Sequence, residues 1–223
     1  MPNKIDALVF DAYGTLFNVH SVSETCERLF PGSGTQLSQL WRTKQLEYTW
    51  QRSLMRRYVD FNVVTADALR YSCAALHLDY SDDALQSLTQ AYRHLTPFPD
   101  AVAALKMLKG KVRLAILSNG APEMLDAVVA NNDLQGNFSA VLSVDPERVF
   151  KPAPQIYQLA VDRLGVAKEN IGFVSSNGWD AAGAKSFGFN VFWVNRAGTP
   201  VEELGVVPDA MLKTLLELAV MLS

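Results

Sequence analysis

Residues 5–17, IDALVFDAYGTLF, decide how the rest of the chain is interpreted. A short, mainly apolar run at residues 5–10 ends directly before Asp11. Continuous rather than alternating hydrophobicity is typical of a strand that is buried on both faces, as in a parallel sheet. We therefore predict that Asp11 follows the first strand of a parallel sheet, with Gly14 free to make the tight turn after it.

Downstream, the chain alternates between strand-like and helix-like segments. Further short apolar runs lie at residues 112–117, 140–144, 171–175 and 191–194. Between the later runs, apolar residues recur three and four positions apart, as in Leu125, Val128 and Val129, which is typical of amphipathic helices. This alternation predicts an α/β fold with a doubly wound parallel sheet, that is, a Rossmann-like core.

The interval between the first two predicted strands, residues 17–97, is much longer than a crossover connection needs. Apolar residues within it fall at helical spacing, in the sets Ala66, Leu69, Cys73, Leu76 and Leu85, Leu88, Tyr92, Leu95. We therefore predict two domains. Residues 1–16 and 98–223 form the Rossmann-like catalytic core, and residues 17–97 form an inserted helical-bundle cap domain.

Composition and charge exclude several classes of protein. The 223-residue chain is 49% hydrophobic and 19% charged, which favours a packed core over disorder. A net charge of -3 with scattered basic residues argues against nucleic acid as a partner. The run at residues 7–10 is too short for a signal peptide or a membrane span, so a cytoplasmic protein is expected. Cys26 and Cys73 lie far apart and are expected to be free thiols.

Compact polar side chains follow three of the predicted strands. They are Asp11, Ser118 with Asn119, and Ser176 with Asn177, and Asp180 comes within the next turn. Because open parallel sheets bind ligands at the carboxyl ends of their strands, we expect these residues to lie together. Each has an ordinary structural explanation as well, since Asp, Ser and Asn often form turns or end strands by side-chain hydrogen bonding.

Four motifs in this order resemble the haloacid dehalogenase superfamily, and the resemblance covers essentially the whole chain. They are residues 11–17 (DAYGTLF), 118–120 (SNG), 151–152 (KP) and 175–180 (SSNGWD). Members share a nucleophilic Asp at a strand end, a Ser or Thr after the second strand, a Lys before a helix and a closing acidic motif. The resemblance implies that Asp11 is a covalent nucleophile.

Position 13 separates two activities within that superfamily. Most members are magnesium-dependent phosphatases, in which a second Asp two residues after the nucleophile protonates the leaving group, and this chain has Tyr13 there. An alkoxide leaving group benefits from a general acid, whereas a halide is weakly basic and does not need one. Loss of the carboxylate also weakens a site for a hard cation, so we expect no metal and no other cofactor.

A narrower resemblance, to the L-2-haloacid dehalogenases, extends into the insertion. Residues 41–50, WRTKQLEYTW, are similar to that family's cap helix. The resemblance implies that Arg42 lies over the active site and takes part in halide release, and that the protein is a homodimer through this region. From the residues alone, Arg42 would be interpreted as a solvated side chain on a helix whose apolar neighbours face the core.

The implied reaction hydrolyses a short-chain (S)-2-haloacid to the (R)-2-hydroxyacid and halide, with inversion at C2. Asp11 would form an ester with the substrate, which water then hydrolyses. Lys151 would be its counter-ion, because a cation within about 4 to 6 Å favours an ionised carboxylate; an exposed loop Lys is the alternative. Asp180 would orient or activate the water, and its alternative role is an N-cap for a helix over residues 181–187.

The resemblance also implies the remaining site residues. The catalytic set is Asp11, Thr15, Arg42, Lys151, Tyr157, Ser175, Asn177 and Asp180. The substrate-binding set is Ala12, Tyr13, Arg42, Leu46, Phe61, Ser118, Asn119 and Trp179. Such a pocket must accept a short alkyl chain and exclude bulk water. The aromatic members Phe61, Trp179 and Tyr157 have core packing as their alternative explanation.

Two competing functions remain after the sequence analysis. One is a magnesium-dependent small-molecule phosphatase of the same superfamily, and Tyr13 argues against it. The other is a catalytically silent relative that only binds small acids, and the presence of Asp11, Lys151 and Asp180 argues against that. The expected partners are therefore the haloacid and the halide, with no nucleic acid and no membrane.

Overall fold

A six-stranded, fully parallel sheet forms the core of the computed structural model, which describes residues 4–222. Its strands are β1 (Ala7–Phe10), β2 (Arg113–Ser118), β3 (Ala140–Ser143), β4 (Ile171–Ser175), β5 (Asn190–Val194) and β6 (Ala210–Leu212). They lie in the order β3-β2-β1-β4-β5-β6. The predicted doubly wound α/β fold is confirmed. Residues 1–3 and 223, which the predicted core includes, lie outside the described residues.

The central strands are buried as the apolar runs predict. Every residue of β1 and β4 is buried, and because successive side chains of a strand point to opposite faces, both faces of the sheet are covered. All five predicted runs form strands. The sequence does not predict β6, because this edge strand has three residues and Met211 at its centre is 58% exposed.

Helices fill the insertion and accompany the sheet. In the insertion these are α1 (Val22–Leu29), α2 (Gly34–Leu54), α3 (Phe61–Ala75) and α4 (Asp82–Ala91); after it come α5 (Pro99–Leu108), α6 (Pro122–Ala130), α7 (Pro154–Leu164), α8 (Gly178–Phe187) and α9 (Leu215–Met221). Proline stands at the start of α5, α6 and α7, where its missing N–H costs nothing. Within residues 4–222, no helix is long and apolar enough to cross a membrane.

A buried polar network fixes helix α2 against α3 and the end of α4. The indole Nε1 of Trp41 donates to the backbone oxygen of Thr65 (2.8 Å), and the side-chain amide of Gln45 donates to the Thr65 hydroxyl (3.0 Å). The Tyr92 hydroxyl in turn donates to Gln45 Oε1 (2.8 Å). Satisfied buried hydrogen bonds are directional, so they set the rotation of α2 and hence the side from which Arg42 projects.

The chain leaves the core and returns to it at adjacent points. Asn18 N donates to Thr96 O (2.8 Å), and Phe98 N donates to Leu16 O (2.9 Å). Phe17 and Pro97 form an isolated antiparallel bridge between these two contacts. Assignment of residues 17–97 to a separate cap domain stays a prediction.

The strand order also locates a crevice. Strand β1 pairs with β2 on one side and with β4 on the other, so the connections that follow β1 and β4 diverge. Such a switch point opens a crevice at the carboxyl ends of the two strands. The residues that follow β1 and β4 therefore face the same space.

Cys26 and Cys73 are both buried free thiols, as the sequence predicts. Burial raises the pKa of the Cys26 thiol to about 12. At neutral pH this group is therefore a protonated, unreactive core side chain.

We expect Tyr92→Phe to lower the free energy of unfolding by about 1–3 kcal/mol, because it leaves Gln45 Oε1 buried without its donor. Urea unfolding followed by tryptophan fluorescence measures this loss as a lower midpoint. Tyr80→Phe, at an exposed position of the same insertion, is the control and should change stability by less than about 0.5 kcal/mol. Equal midpoints for the two variants would contradict the structural importance of the network.

Candidate active site

The Asp11 carboxylate lies in the crevice and accepts three side-chain hydrogen bonds. Its Oδ2 accepts from the hydroxyl of Thr15 (2.9 Å) and from Nδ2 of Asn177 (2.8 Å), and its Oδ1 accepts from Nζ of Lys151 (3.1 Å). Gly14 adopts a φ of +89° in the turn that brings Thr15 back toward Asp11. The carboxylate is therefore held at both oxygens on the end of a rigid, central strand.

Lys151 is buried and bridges two carboxylates. Its Nζ donates to Asp180 Oδ2 (2.9 Å) as well as to Asp11 Oδ1. Burial by itself lowers the pKa of this ammonium, but the negative charges of Asp11 and Asp180 outweigh it and raise the pKa above its ordinary value. Lys151 is therefore the permanent cation of the site, and the alternative of an exposed loop Lys is wrong.

Asp180 is fully buried in the first turn of α8. Burial raises the pKa of its carboxyl to about 6, and the charge of Asp11 adds to this, while the Lys151 ammonium and a hydrogen bond from the Tyr157 hydroxyl (2.8 Å) oppose it. One ammonium thus compensates only one of the two carboxylate charges, and burial together with the charge of Asp11 makes Asp180 more basic than an ordinary aspartate. The alternative role as N-cap is wrong, because α8 begins at Gly178 and Asn177 occupies the cap position.

The loop after β4 is bonded to the loop after β1. Ser176 N donates to the hydroxyl of Thr15 (2.8 Å), and Nδ2 of Asn177 donates to the backbone oxygen of Tyr13 (3.1 Å). Ser175 contributes differently, since its hydroxyl accepts from Asn177 N (3.1 Å). It shapes the turn that presents Asn177, and among the described residues it has no hydrogen bond to Asp11.

The loop after β2 lies beside Lys151. Oδ1 of Asn119 accepts from Lys151 N (2.9 Å), and the hydroxyl of Ser118 accepts from Gly120 N (3.1 Å). Both side chains are buried at the edge of the crevice. Within residues 4–222, Nδ2 of Asn119 has no hydrogen-bond partner, so this amide is available to a ligand.

Aromatic rings line the space above the carboxylate. Tyr13 stacks on Phe61, the first residue of α3, with ring centroids 6.0 Å apart, and Trp179 packs edge-on against Trp50 at 5.5 Å. The Tyr13 hydroxyl and the Trp179 indole Nε1 are buried and have no partner in the described part of the chain. Burial raises the pKa of Tyr13, so its hydroxyl stays protonated. Trp50 Nε1 is likewise buried without a partner among the described residues, so these rings form an apolar wall that contains three unpaired hydrogen-bond donors.

Arg42 projects from α2 on the insertion side of the crevice and is partly buried. Its positive charge partly offsets the burial that raises the pKa of Tyr13 and Tyr92, so the guanidinium lies near these two rings. No ion pair or hydrogen bond engages the Arg42 side chain anywhere in residues 4–222. Leu46 follows one helical turn later on the same helix. Arg42 is thus a cation without a protein counter-ion.

Direct contacts hold the insertion over the strand ends. Tyr58 OH donates to Asp145 Oδ1 (2.9 Å), Phe150 N donates to the hydroxyl of Ser53 (3.1 Å), and Asn62 Nδ2 donates to Glu123 Oε1. The second contact lies next to Lys151 in sequence. Asp11, Lys151 and Asp180 are at most 5% exposed, so bulk water is restricted around the carboxylates.

The donor set does not fit a magnesium ion. Both oxygens of Asp11 are occupied by side-chain donors, the carboxylate of Asp180 is paired with Lys151 and Tyr157, and Tyr13 stands where a second carboxylate would be needed. Within residues 4–222, no group of three or more His, Cys, Asp or Glu side chains is arranged to hold a metal ion.

One partly buried cation near the crevice, Arg196, is absent from the sequence prediction. Arg196 lies two residues after β5 and donates to Ser176 Oγ (2.7 Å) and to the backbone oxygen of Thr15 (3.1 Å). A signal was available, because Arg196 follows a strand end just as Asp11, Ser118 and Ser176 do. The sequence prediction considered the ends of only three strands.

Comparisons with known proteins agree on one family. Residues 5–188 match the family model of haloacid dehalogenase-like hydrolases. The chain is 50% identical over 206 residues to the (S)-2-haloacid dehalogenase of Pseudomonas sp. (strain YL), covering 92% of this chain and 89% of the relative. It is 48% identical over 207 residues to haloacetate dehalogenase H-2 of Moraxella sp. (strain B), covering 92% of each.

A solved structure is also similar over nearly the whole chain. It is the L-2-haloacid dehalogenase from Xanthobacter autotrophicus with chloropropionic acid covalently bound. The TM-score is 0.92 at 45% sequence identity, and the match covers 97% of this chain and 98% of that chain.

We expect Lys151→Met to lower the free energy of unfolding by about 3–5 kcal/mol at pH 8, because two buried carboxylates lose their cation. The deficit relative to the unchanged protein should shrink at pH 5. Without Lys151 the pKa of Asp180 rises further, so the folded variant binds a proton that the unfolded chain releases, and its stability increases as pH falls.

Urea midpoints at the two pH values measure this effect. Lys185→Met removes an exposed ion pair with Asp209 and serves as the control, with an expected change of no more than about 1 kcal/mol at either pH. A Lys151→Met deficit that is small, or that grows as pH falls, would contradict the charge assignment.

Proposed function

The chain belongs to the haloacid dehalogenase-like hydrolases, and we propose that it hydrolyses short-chain (S)-2-haloacids to (R)-2-hydroxyacids and halide through an ester on Asp11. One observation carries the proposal. A carboxylate at the sheet's switch point is held by Lys151, and Tyr13 stands where a general acid for a basic leaving group would be. Such a site suits displacement of a weakly basic leaving group.

The first step is displacement at C2 of the haloacid. Asp11 forms an oxygen–carbon bond from the face opposite the halogen, the carbon–halogen bond breaks, and its electron pair leaves with the halide, so C2 is inverted. The substrate carboxylate is bound by Ser118 and Asn119 with the backbone N–H groups of Ala12 and Tyr13. Arg42 stabilises the departing halide, which its lack of a protein counter-ion supports.

The second step is hydrolysis of the ester. Water attacks the carbonyl carbon of Asp11, the bond from that carbon to the ester oxygen breaks, and the hydroxyacid leaves with an oxygen that came from Asp11. Asp180 takes one proton from the water and returns it to the departing alkoxide oxygen, while the other proton of the water is released to solvent as the new Asp11 carboxyl ionises. A pKa of about 6 keeps Asp180 ionised at neutral pH and basic enough to accept a proton. Tyr157 and Lys151 hold its carboxylate in place.

The pocket favours small substrates. Phe61 and Tyr13 form one apolar wall, Trp179 a second, and Leu46 lies on the helix that carries Arg42. Thr15, Ser175 and Asn177 position Asp11 and the loops beside it. We further propose that residues 17–97 act as a cap domain over this pocket, and that the enzyme works in the cytoplasm.

We expect the protein to release chloride from (S)-2-chloropropionate with EDTA present, and Asp11→Asn to lower this rate by a factor of at least ~10³ because it removes the nucleophile. Ion chromatography measures the chloride. Phosphate release that EDTA abolishes, without chloride release, would favour the magnesium-dependent phosphatase, the alternative function.

A single turnover in oxygen-18 water tests the covalent step. Label must enter Asp11 and be absent from the first hydroxyacid formed, as mass spectrometry of the peptide that contains Asp11 would show. Label that appears directly in the hydroxyacid would exclude the ester. The same experiment separates the enzyme from a relative that only binds small acids, since that protein would show neither product.

We also propose that the protein is a homodimer through α2 and its neighbours. Leu54 at the end of α2 is 85% exposed, Met55 beside it is also exposed, and Tyr71 on α3 packs edge-on against Tyr48 at the surface of the insertion. Contiguous exposed apolar side chains on one face are typical of protein interfaces. A second copy of the same face would cover them by two-fold symmetry.

Sedimentation at micromolar concentration should therefore give a dimer, and Leu54→Glu should shift it toward monomer by placing two charges in the interface. Leu204→Glu is the matched control, because Leu204 is 62% exposed but lies outside the insertion. A monomeric wild-type protein, or equal shifts in the two variants, would count against the proposed face.

A further inference from the structure

Arg196 makes a set of directed contacts behind the nucleophile. Its Nη1 donates to the hydroxyl of Ser176 (2.7 Å), and its Nη2 donates to the backbone oxygen of Thr15 (3.1 Å). The same Nη2 donates to both carboxylate oxygens of Asp100 (3.2 and 3.0 Å). The guanidinium also lies 4.0 Å from the ring centroid of Phe98. Four segments of the chain thus meet at one side chain.

Two of these contacts lead directly to Asp11. Ser176 N donates to the hydroxyl of Thr15, and that hydroxyl donates to Asp11 Oδ2 (2.9 Å). Arg196 therefore holds both residues of the bonded pair, Thr15 by its carbonyl and Ser176 by its hydroxyl. The pair in turn fixes one oxygen of the nucleophile.

Arg196 is itself rigidly mounted. Asp100, in the first turn of α5, accepts from Leu215 N (2.8 Å) as well as from the guanidinium, and is thereby fixed between two helices. Phe98 covers the flat face of the guanidinium. A planar guanidinium that is held through Nη1 and Nη2 and covered on one face has little freedom, which a lysine ammonium would not reproduce.

We propose that Arg196 is a positioning residue for the nucleophile, holding the loops after β1 and β4 so that Asp11 keeps its attack geometry. The proposal rests on the proposed function, because it assigns a role in that reaction. Arg196 acts through Thr15 and Ser176 and does not touch the substrate. A displacement of about 1 Å at a reacting group costs on the order of 10²-fold in rate, so its contribution falls mainly on the chemical step.

The alternative is a purely structural ion pair. The side chains of Arg196 and Asp100 are 21% and 14% exposed, and a pair that retains contact with solvent contributes modestly to stability. The two roles differ in what a substitution changes. A structural pair affects unfolding alone, whereas a positioning residue affects kcat in a folded enzyme.

The experiment compares Arg196→Met, Arg196→Lys and Ser176→Ala, with Lys185→Met as a control at an exposed ion pair remote from Asp11. Thermal unfolding first establishes that each variant is folded at the assay temperature. We expect Arg196→Met to lower kcat for (S)-2-chloropropionate by about 10- to 100-fold, with KM changed by less than about threefold. The kcat of Arg196→Lys should lie between the values for Arg196→Met and the wild type. The kcat of Lys185→Met should equal that of the wild type.

A double-mutant cycle tests whether Arg196 acts on the nucleophile through Ser176. If Arg196 acts through Ser176, the effects of Arg196→Met and Ser176→Ala on kcat will be less than multiplicative when combined. Multiplicative effects, or an Arg196→Met enzyme whose kcat stays within twofold of wild type, would overturn the proposal even if the melting temperature falls.

Hydrogen exchange at the Ser176 amide keeps this proposal separable from the proposed function. That amide donates to Thr15, and we expect Arg196→Met to increase its exchange rate at least tenfold, while Lys185→Met leaves it unchanged. A wild-type protein without dehalogenase activity but with this loss of protection would refute the function and support the positioning. Unchanged protection in Arg196→Met would refute the positioning.

Discussion

A single buried ammonium shared by two buried carboxylates is the constraint on which the rest of the site depends. Lys151 lies between Asp11 and Asp180, so the cluster carries one uncompensated negative charge when both carboxylates are ionised. Burial of that charge is tolerated because Thr15, Asn177 and neighbouring donors satisfy the remaining oxygens. Burial, together with the negative charge of Asp11, raises the pKa of Asp180 and makes it a base.

The fold supplies what this cluster requires, which is a place where segments that follow different strands meet. The order of the strands puts the loops after β1 and β4 next to each other, and the loop after β2 lies beside them. Hydrogen bonds from Ser176 and Asn177 to the loop after β1 then connect two of the three. The site is therefore assembled by hydrogen bonds between loops that the strand order brings together, and no single sequence motif contains it.

The sequence predicts the parts of this arrangement that depend on local pattern. Apolar runs identify five strands, and the resemblance implies the residues that surround Asp11. Arg196 follows a strand end as the predicted residues do, but its contacts with Asp100 and the carbonyl of Thr15 depend on tertiary packing that the local pattern does not show. Strand β6 is not predicted because its apolar run, Ala210–Leu212, is only three residues long. The N-cap alternative for Asp180 failed because a helix boundary shifted by a few residues changes what a side chain faces.

Tyr13 contributes to packing as well as to the chemistry of the site. Its ring stacks on Phe61 of the insertion, so the position that distinguishes the two chemistries of the superfamily is also part of the contact between core and insertion. An Asp there would add a third carboxylate near one Lys and leave a void beside Phe61. A change at position 13 therefore alters the charge balance of the site and the packing between core and insertion together, and an Asp there would need compensating changes around Lys151 and Phe61.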